Sequence, residues 1–186
     1  MEPLPERTEA PGLEIRRWVP DDAEAVHQAI TRSVDHLRPW FGWISFEPLD
    51  VIARRALFAE WERGWADGGD VLFGIWDHDL VLGSVGLHRR LGPGGLEIGY
   101  WVHVDHLGQG IAPKAAAAVT DLAFTVGGID RVEIHHDVEN HASRRVPAKL
   151  GFTEIETVEA HRDPMGPAET GVDVIWRMTK ADWLSR

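Results

Sequence analysis

The sequence predicts a single α/β domain in which helices pack on a β-sheet, and three observations favour this fold class. Short runs of apolar or alternating residues, which are typical of strands, recur along the whole chain. Longer amphipathic or alanine-rich stretches, which are typical of helices, separate several of them. A chain of 186 residues has the length of one domain, and neither an internal repeat nor a linker divides it.

Predicted strands and helices follow one another from residue 13 onward. The strands are the apolar or alternating runs 13–18, 71–76, 80–88, 96–104, 131–137, 152–158 and 172–178. The first helix runs to about Thr31, and the second is a region that carries Leu57, Trp61 and Trp65 at four-residue spacing. Two further helices are the stretches 111–125 and 142–150. Asp21 or Asp22 is positioned to cap the first helix, while Gly68 ends the second and Gly151 the last. The short polar link 77–79 predicts a hairpin between the strands on either side of it.

Composition and charge exclude several function classes. A net charge of −11 works against non-specific nucleic-acid binding, which relies on Lys and Arg, and suits a cationic substrate such as an amine. No apolar run approaches the ~20 residues of a membrane span, and no signal peptide is visible. The chain has no cysteine, which excludes disulfides, a thiol nucleophile and thiolate metal sites. We therefore expect a cytoplasmic protein with a flexible arm over residues 1–12 and one domain over 13–186.

The segment 96–112 carries the strongest functional signal. An apolar strand ends in a loop containing Gly108 and Gly110, and the alanine-rich helix begins at once. Helix N-termini present free N–H groups to anions such as phosphate, and glycine lets the backbone approach a ligand closely. An ordinary strand-to-helix turn would explain the same glycines, so the loop alone leaves both interpretations open. A dinucleotide-binding fold would need a third glycine where Pro113 stands, and no P-loop Gly-Lys-Ser/Thr occurs.

Three motifs in register resemble the GNAT superfamily of N-acetyltransferases, and most closely its RimJ/RimL-like branch, which acetylates ribosomal-protein N-termini. The motifs are Glu97-Ile98-Gly99-Tyr100-Trp101-Val102, the loop Gly108-Gln109-Gly110-Ile111-Ala112, and Asn140-His141-Ala142-Ser143 followed by Lys149-Leu150-Gly151-Phe152. Arg38-Pro39-Trp40 also resembles that branch, and the likeness runs from about Leu13 to Thr179. Leu107 departs from the family pattern, which usually has Arg or Gln at that point of the loop.

The resemblance implies a fold and a cosubstrate. The fold is a mixed, mostly antiparallel sheet of about six to seven strands flanked by helices, splayed between the strands at 96–104 and 131–137. Acetyl-CoA is implied, with its pyrophosphate on the glycine loop and its pantetheine arm along the first of these strands. The implied cofactor-binding residues are Val102, His103, Val104, Gly108, Gln109, Gly110, Ile111, Ala112, Asn140 and Ser143. Relatives in this family are often dimers, so a homodimer is a further hypothesis.

Glu97 and Ser143 are the candidate catalytic residues. Acetyl transfer to an amine needs a neutral amine, a polarised carbonyl and a proton for the departing thiolate. By the resemblance, Glu97 lies on the strand that carries the acyl group and is the candidate base, directly or through a water. Ser143 is the candidate proton donor to the CoA thiolate. The alternative for Glu97 is that it holds a backbone group or a substrate ammonium without moving protons, and the alternative for Ser143 is a helix N-cap.

Trp40, Trp43 and His135 are the candidate substrate-binding residues. Both tryptophans stand in the aromatic loop 36–43 and are positioned either to wall a substrate cleft or to pack in the core. His135 and its neighbour His136 face opposite sides of a strand, so they cannot form one metal pair. His135 is the one expected near the amine, unless it is only a structural strand histidine. The other histidines show no ligand spacing, and we predict no metal.

The predicted function is transfer of an acetyl group from acetyl-CoA to a primary amine, which is either a protein N-terminal α-amine or a small molecule. The alternative is an acyl-CoA-binding sensor or scaffold with degenerate catalysis, which predicts binding without turnover. The sequence leaves the acceptor and the length of the acyl chain open.

Overall fold

The structure, a computed structural model, describes residues 3–186. Its strands are Arg7–Ala10 (β1), Leu13–Arg17 (β2), Val71–Asp77 (β3), Leu80–His88 (β4), Gly95–Val102 (β5), Arg131–Asp137 (β6), Thr153–Glu159 (β7) and Val172–Thr179 (β8). Its α-helices are Ala23–Leu37 (α1), Val51–Ala66 (α2), Ile111–Thr125 (α3), His141–Lys149 (α4) and Lys180–Leu184 (α5). The strands form one eight-stranded sheet of order β1-β2-β3-β4-β5-β6-β8-β7. No helix in residues 3–186 is long and apolar enough to cross a membrane.

The predicted mixed, mostly antiparallel sheet is confirmed, with β1 as an additional strand. β1 lies inside the segment 1–12 that the sequence predicts as a flexible arm, and it pairs antiparallel with β2. Leu4 is buried, and its carbonyl accepts a hydrogen bond of 2.6 Å from the Trp65 indole. The side chains of β1 are exposed or half-buried, so the strand has no apolar run that would reveal it. Residues 1 and 2 lie outside the described part.

Helices cover both faces of the sheet over two apolar clusters. α3 packs on β1, β4 and β5, and buries the small residues Ala115, Ala116, Val119 and Ala123. Their size lets α3 lie close to the sheet. On the other face α1 and α2 pack around Trp18, whose ring stacks on Phe58 with 5.5 Å between the ring centroids.

The N-cap residue of α1 is one of the two predicted aspartates, but its side chain makes a different contact from the predicted one. Asp22 occupies the N-cap position, but its side chain does not cap the helix. Its carboxylate accepts hydrogen bonds of 2.7 and 2.9 Å from the Arg16 guanidinium and one of 2.9 Å from the Val19 N–H. Arg16, six residues earlier on β2, therefore binds the carboxylate that the sequence pattern predicts to cap the helix.

The parallel strands β5 and β6 pair only at one end, as the resemblance implies. Their register joins Gly95, Leu96 and Glu97 to residues 131–133 and stops there. The opposite edge of β5 stays paired with β4 from Glu97 to Val102. The backbone of residues 98–102 consequently has no strand partner on the β6 side within residues 3–186. This gap in the sheet positions the candidate site.

Candidate active site

Three cavities meet where β5 and β6 separate. The aromatic cavity, of about 440 Å³, lies between the sheet and the helices α1 and α2. The glycine-loop cavity, of about 400 Å³, lies beside the loop 107–110 and the first turns of α3 and α4. The polar cavity, of about 270 Å³, lies next to Glu97 and His135. Phe41 and Tyr100 border all three, so molecules in different cavities would approach one another beside Tyr100.

The glycine-loop cavity has the chemistry of an anion site. Gly108 and Gly110 have φ values of 73° and 75°, a left-handed backbone that favours glycine. Gly110 is the N-cap residue of α3 and offers no side chain to cap it. A Cβ atom at either glycine would meet nothing within 4 Å, so the N-terminal turn of α3 faces open space. Arg145 and Lys149 of α4 add positive charge to the same cavity.

Seven of the residues that the resemblance assigns to the cofactor border this cavity. They are Val102, Gly108, Gly110, Ile111, Ala112, Asn140 and Ser143. His103, Val104 and Gln109 do not border it. β5 ends at Val102 and a short 3₁₀ turn follows, in which the Val104 N–H donates to Ser33 Oγ and the His103 N–H to the Leu82 carbonyl. The strand predicted over 96–104 therefore ends at Val102, and the N–H groups of the next two residues already have protein partners.

Ser143 and Tyr100 form a hydrogen-bonded pair at the junction of the cavities. Asn140 is the N-cap of α4 and accepts from the Ser143 N–H at 3.0 Å, so Ser143 is not the cap. The Tyr100 hydroxyl lies 3.0 Å from Ser143 Oγ and donates to the Ser143 carbonyl at 3.1 Å. That carbonyl would normally accept from residue 147, but Pro147 has no N–H. Burial raises the pKa of Tyr100, which keeps its hydroxyl protonated.

Glu97 and His135 face the polar cavity within a network of charges. Both Glu97 oxygens accept from Arg90, at 2.6 and 2.5 Å, and His135 Nδ1 lies 3.7 Å from Glu97. His135 Nε2 lies 2.7 Å from a Glu133 oxygen, while Arg177 binds the other Glu133 oxygen. Burial alone would raise the pKa of Glu133, but the hydrogen bonds from His135 and Arg177 outweigh it and lower the pKa. Residues 3–186 contain no cluster arranged to hold a metal ion.

The neighbouring His136 is structural. Its Nδ1 donates to the Asp137 carbonyl at 2.8 Å, and its Nε2 accepts from the Trp176 indole at 3.0 Å. Burial lowers the pKa of His136, which keeps the ring neutral and suits this pair of bonds. The structure thus places His135 at the site and His136 in the core, on opposite sides of β6.

Both predicted tryptophans border cavities. Trp40 lies between the glycine-loop and polar cavities, and Trp43 between the aromatic and polar cavities. Their loop touches the segment 160–171 backbone to backbone, since the Ala168 N–H donates to the Pro39 carbonyl at 3.0 Å. A Cβ at Gly42 would lie 1.8 Å from the Pro164 carbonyl oxygen. These two loops together close the outer side of the polar cavity.

Asp137 and Arg162 fix the segment 160–171. Asp137 accepts from the Glu139, Thr170 and Gly171 N–H groups and from the Thr170 hydroxyl. Arg162 donates to Glu169 at 2.8 Å and to Asp173. Burial alone would raise the pKa of Asp137, but these hydrogen bonds outweigh it and lower the pKa.

Asp137→Asn is expected to destabilise the fold by ~1–3 kcal/mol, because an amide oxygen replaces a carboxylate with several donors around it. Since the folded pKa of Asp137 is lowered, its stabilisation is complete above the ordinary value of ~3.9 and is lost as pH falls through the folded value. Urea unfolding should therefore show a gap between wild type and variant that is constant above about pH 5 and shrinks below about pH 4. Asp130→Asn, at an exposed carboxylate, is the control. A gap that persists at low pH would contradict the assignment.

Tyr100, Arg90 and Arg162 contribute to the site without a local sequence pattern that assigns them a role there. Tyr100 is the only tyrosine of the chain and lies inside a quoted motif, so a signal for it existed. Arg90 and Arg162 stand in loops without periodicity, and only the folded chain brings them to Glu97 and Asp173.

Comparison with known proteins agrees with this geometry. The family model described as acetyltransferase (GNAT) domain matches residues 12–153. YdaF of Bacillus subtilis (strain 168), provisionally named a ribosomal N-acetyltransferase, is 29% identical over 148 residues, which cover 76% of this chain and 78% of YdaF. The ribosomal-protein-serine acetyltransferase of Escherichia coli (strain K12) is 26% identical over 145 residues, or 75% of this chain and 78% of that enzyme.

The fold has solved counterparts as well. RimJ of Mycobacterium smegmatis, solved in complex with CoA-disulfide, has a TM-score of 0.83 with this chain at 22% identity, covering 98% of this chain and 91% of RimJ. The family model spans most of the chain, including the strand β5, the glycine loop and α4. The chain therefore belongs to the GNAT family of acetyltransferases, as its three sequence motifs predict.

Proposed function

We propose that the chain transfers an acetyl group from acetyl-CoA to a primary amine by direct attack while both are bound. The observation that carries this proposal is the meeting of the glycine-loop and polar cavities at Tyr100, beside the unpaired edge of β5. One cavity presents groups for a phosphate-bearing molecule, and the other presents carboxylates for an amine. Direct transfer requires such a meeting point, because both reactants must be held within contact distance.

The residues present fit CoA. The uncapped N-terminus of α3 and the side chains of Arg145 and Lys149 suit its phosphates. The free edge of residues 98–102 suits the amides of its pantetheine arm, which would complete the missing strand hydrogen bonds. When bound, acetyl-CoA supplies a thioester that is activated for attack.

Glu97 is the proposed group on the amine side. Its carboxylate is nearly buried and is held by Arg90, so its position is fixed at the wall of the polar cavity. From there it attracts the ammonium form of the acceptor and takes one proton from it through a water. An α-amine has an ordinary pKa of ~8, so only a modest base is needed near neutral pH.

Ser143 is the proposed proton donor on the thiol side. The single Tyr100 proton is held by the Ser143 carbonyl, so the Ser143 hydroxyl proton is free to turn toward the cavity. As that proton leaves, the Tyr100 hydroxyl turns from the Ser143 carbonyl and donates its hydrogen bond to the Ser143 oxygen instead. Trp40, Trp43 and His135 are proposed to enclose the acceptor, since all three border the polar cavity.

Ser143→Ala is expected to lower kcat by ~10- to 100-fold, with a smaller effect on the Kd for acetyl-CoA, since it removes the proton donor. Tyr100→Phe should have a smaller effect alone and little additional effect in the double variant, because the two hydroxyls act as one unit. Stopped-flow thiol release measures kcat, and the exposed Ser45→Ala is the matched control. Full activity of Ser143→Ala would contradict the role.

The test of the whole proposal is thiol release from acetyl-CoA in the presence of amines. The chain contains no cysteine, so a thiol-reactive dye reports CoA alone. Amine-dependent release supports the transferase, whereas CoA binding without release for any amine would favour the sensor alternative.

The relatives named for ribosomal proteins make a protein N-terminus one acceptor class to test, through peptides that begin with Ser or Ala. Homodimer formation, a cytoplasmic location and the absence of nucleic-acid or metal partners stay predictions. Light scattering of the purified chain checks the first of them, and metal analysis of the purified protein checks the last.

A further inference from the structure

We propose that the aromatic cavity binds the apolar body of the acceptor, which is a primary amine carrying a flat group of the size of an aromatic ring. Its amine is anchored at His88 and reaches the polar cavity from there. This inference rests on the proposed transferase function and names the substrate class of that site. It follows from the lining of the cavity, from the pairing of its charges and from its connection to Tyr100.

The lining is dominated by aromatic rings. Six of them are Trp18, Phe41, Trp43, Phe58, Trp61 and Trp101. A volume of about 440 Å³ lies within the range of ~300–1,000 Å³ that small-molecule pockets occupy. Rings of this kind favour a flat apolar body, both by burying apolar area and by stacking.

The charged groups in the wall are already paired. Glu47 accepts two hydrogen bonds of 2.8 Å from the buried Arg54, and Arg90 is bound to Glu97. Ser84 accepts from the Trp18 indole at 3.1 Å and donates to the Phe73 carbonyl at 2.7 Å. The wall therefore offers no free carboxylate for a second positive charge, which disfavours a polyamine as the occupant.

His88 supplies a polar anchor. Its Nδ1 lies 2.7 Å from Asp70, whose other oxygen accepts from the Arg89 N–H. Since Nδ1 is engaged by Asp70, Nε2 is the ring nitrogen that is left to contact a ligand. Nε2 has no hydrogen-bond partner within residues 3–186 and lies 2.9 and 3.3 Å from the positions that a Cβ would take at Gly86 and Gly99.

This position connects the anchor to the reaction site. Gly99 borders both the aromatic and the polar cavity, and Tyr100 follows it on β5. His88 and Glu97 are directly paired residues of β4 and β5. An amine in contact with His88 Nε2 therefore lies between the aromatic cavity and the carboxylate of Glu97.

The first experiment compares amines in the thiol-release assay. Phenethylamine and a peptide beginning with Phe should exceed ethylamine and a peptide beginning with Ser by about 30-fold in kcat/KM, the value of burying one aromatic ring. The free amine and the peptide distinguish a small molecule from a protein N-terminus as the source of the ring. Equal kcat/KM for the aromatic and the small acceptors would overturn the inference.

The second experiment removes one wall of the cavity. Phe46 borders the cavity and is 67% exposed, whereas Ile52 is 81% exposed and lies outside it. Phe46→Ala should raise the KM for phenethylamine by about 5-fold, and Ile52→Ala should not change it. His88→Ala should raise the same KM by about 10-fold, with partial rescue in His88→Asn and no change in the KM for acetyl-CoA.

Two further outcomes separate this inference from others. A preference for hexanoyl-CoA over acetyl-CoA that Phe46→Ala abolishes would assign the cavity to the acyl chain and overturn the inference. Calorimetry of phenethylamine with the CoA-loaded protein tests binding apart from turnover. Binding that is lost in His88→Ala supports the site even where no amine releases thiol, a result that would contradict the proposed function alone.

Discussion

Gly42→Ala is expected to lower kcat/KM for the acceptor by about 100-fold or more, while acetyl-CoA still binds. The added Cβ would lie 1.8 Å from the Pro164 carbonyl oxygen, and a backbone atom cannot turn aside as a flexible side chain can. The segment 160–171 must move away, and with it Arg162 and Glu169 at the wall of the polar cavity. A displacement of ~1 Å near reacting groups costs on the order of 100-fold in rate.

Gly127→Ala is the matched control for this variant. A Cβ at Gly127 meets nothing within 4 Å, so activity should stay at the wild-type level. Circular dichroism verifies that both variants fold, and calorimetric titration gives the Kd for acetyl-CoA. Wild-type kcat/KM in Gly42→Ala would show that the contact between the two loops does not position the acceptor.

Glu97→Gln is expected to lower kcat/KM by ~100-fold, within the ~10²–10⁴ range of general acid–base groups. The amide keeps the shape of the side chain and can still accept from Arg90 through one oxygen, but it takes up no proton. Arg90 is more than half exposed, so water can replace the lost hydrogen bond and the fold should tolerate the change. Steady-state kinetics across pH measure the effect.

The pH profile distinguishes the two roles of Glu97. Loss of the acidic limb of kcat/KM with a reduced kcat indicates a base, whereas a raised KM for the amine with unchanged kcat indicates an ammonium anchor. Glu154→Gln, at an exposed carboxylate paired with Arg144, is the control for breaking an Arg–carboxylate pair. Activity within about 3-fold of wild type, against the ~100-fold loss expected of a base, would exclude both roles.

Much of the fold was predictable because local patterns determine it. β4, α3 and β6 begin and end where the sequence predicts, since each has an unbroken apolar or small-residue pattern with a turn at both ends. β1 and α5 were not predictable, because they are short and their side chains are exposed or half-buried. Pairing with β2 stabilises β1, and the residues of β1 themselves carry no pattern that predicts this pairing.

The candidate site also has some features that the sequence predicts and others that it does not. The backbone features of the glycine loop follow from local sequence, as do the positions of Asn140 and Ser143 at the start of α4. The ion pairs and hydrogen bonds between side chains of different elements do not follow from local sequence. Arg90 with Glu97 is a contact of charged groups that sequence spacing cannot predict. The same holds for His88 with Asp70, which lie eighteen residues apart.

The alternation of side chains along β5 links the candidate site to the stability of the protein. Glu97, Gly99 and Trp101 lie on one face of β5, whereas Ile98, Tyr100 and Val102 lie on the other and pack in or against the apolar cluster that includes α3. Because strand periodicity is two, deleting or inserting one residue here would exchange the two sets at once. A carboxylate would then be buried among apolar side chains, and a glycine would leave a cavity beneath α3. Divergence among such enzymes can therefore alter the identity of side chains on this strand, but a change in its length must be compensated by a bulge.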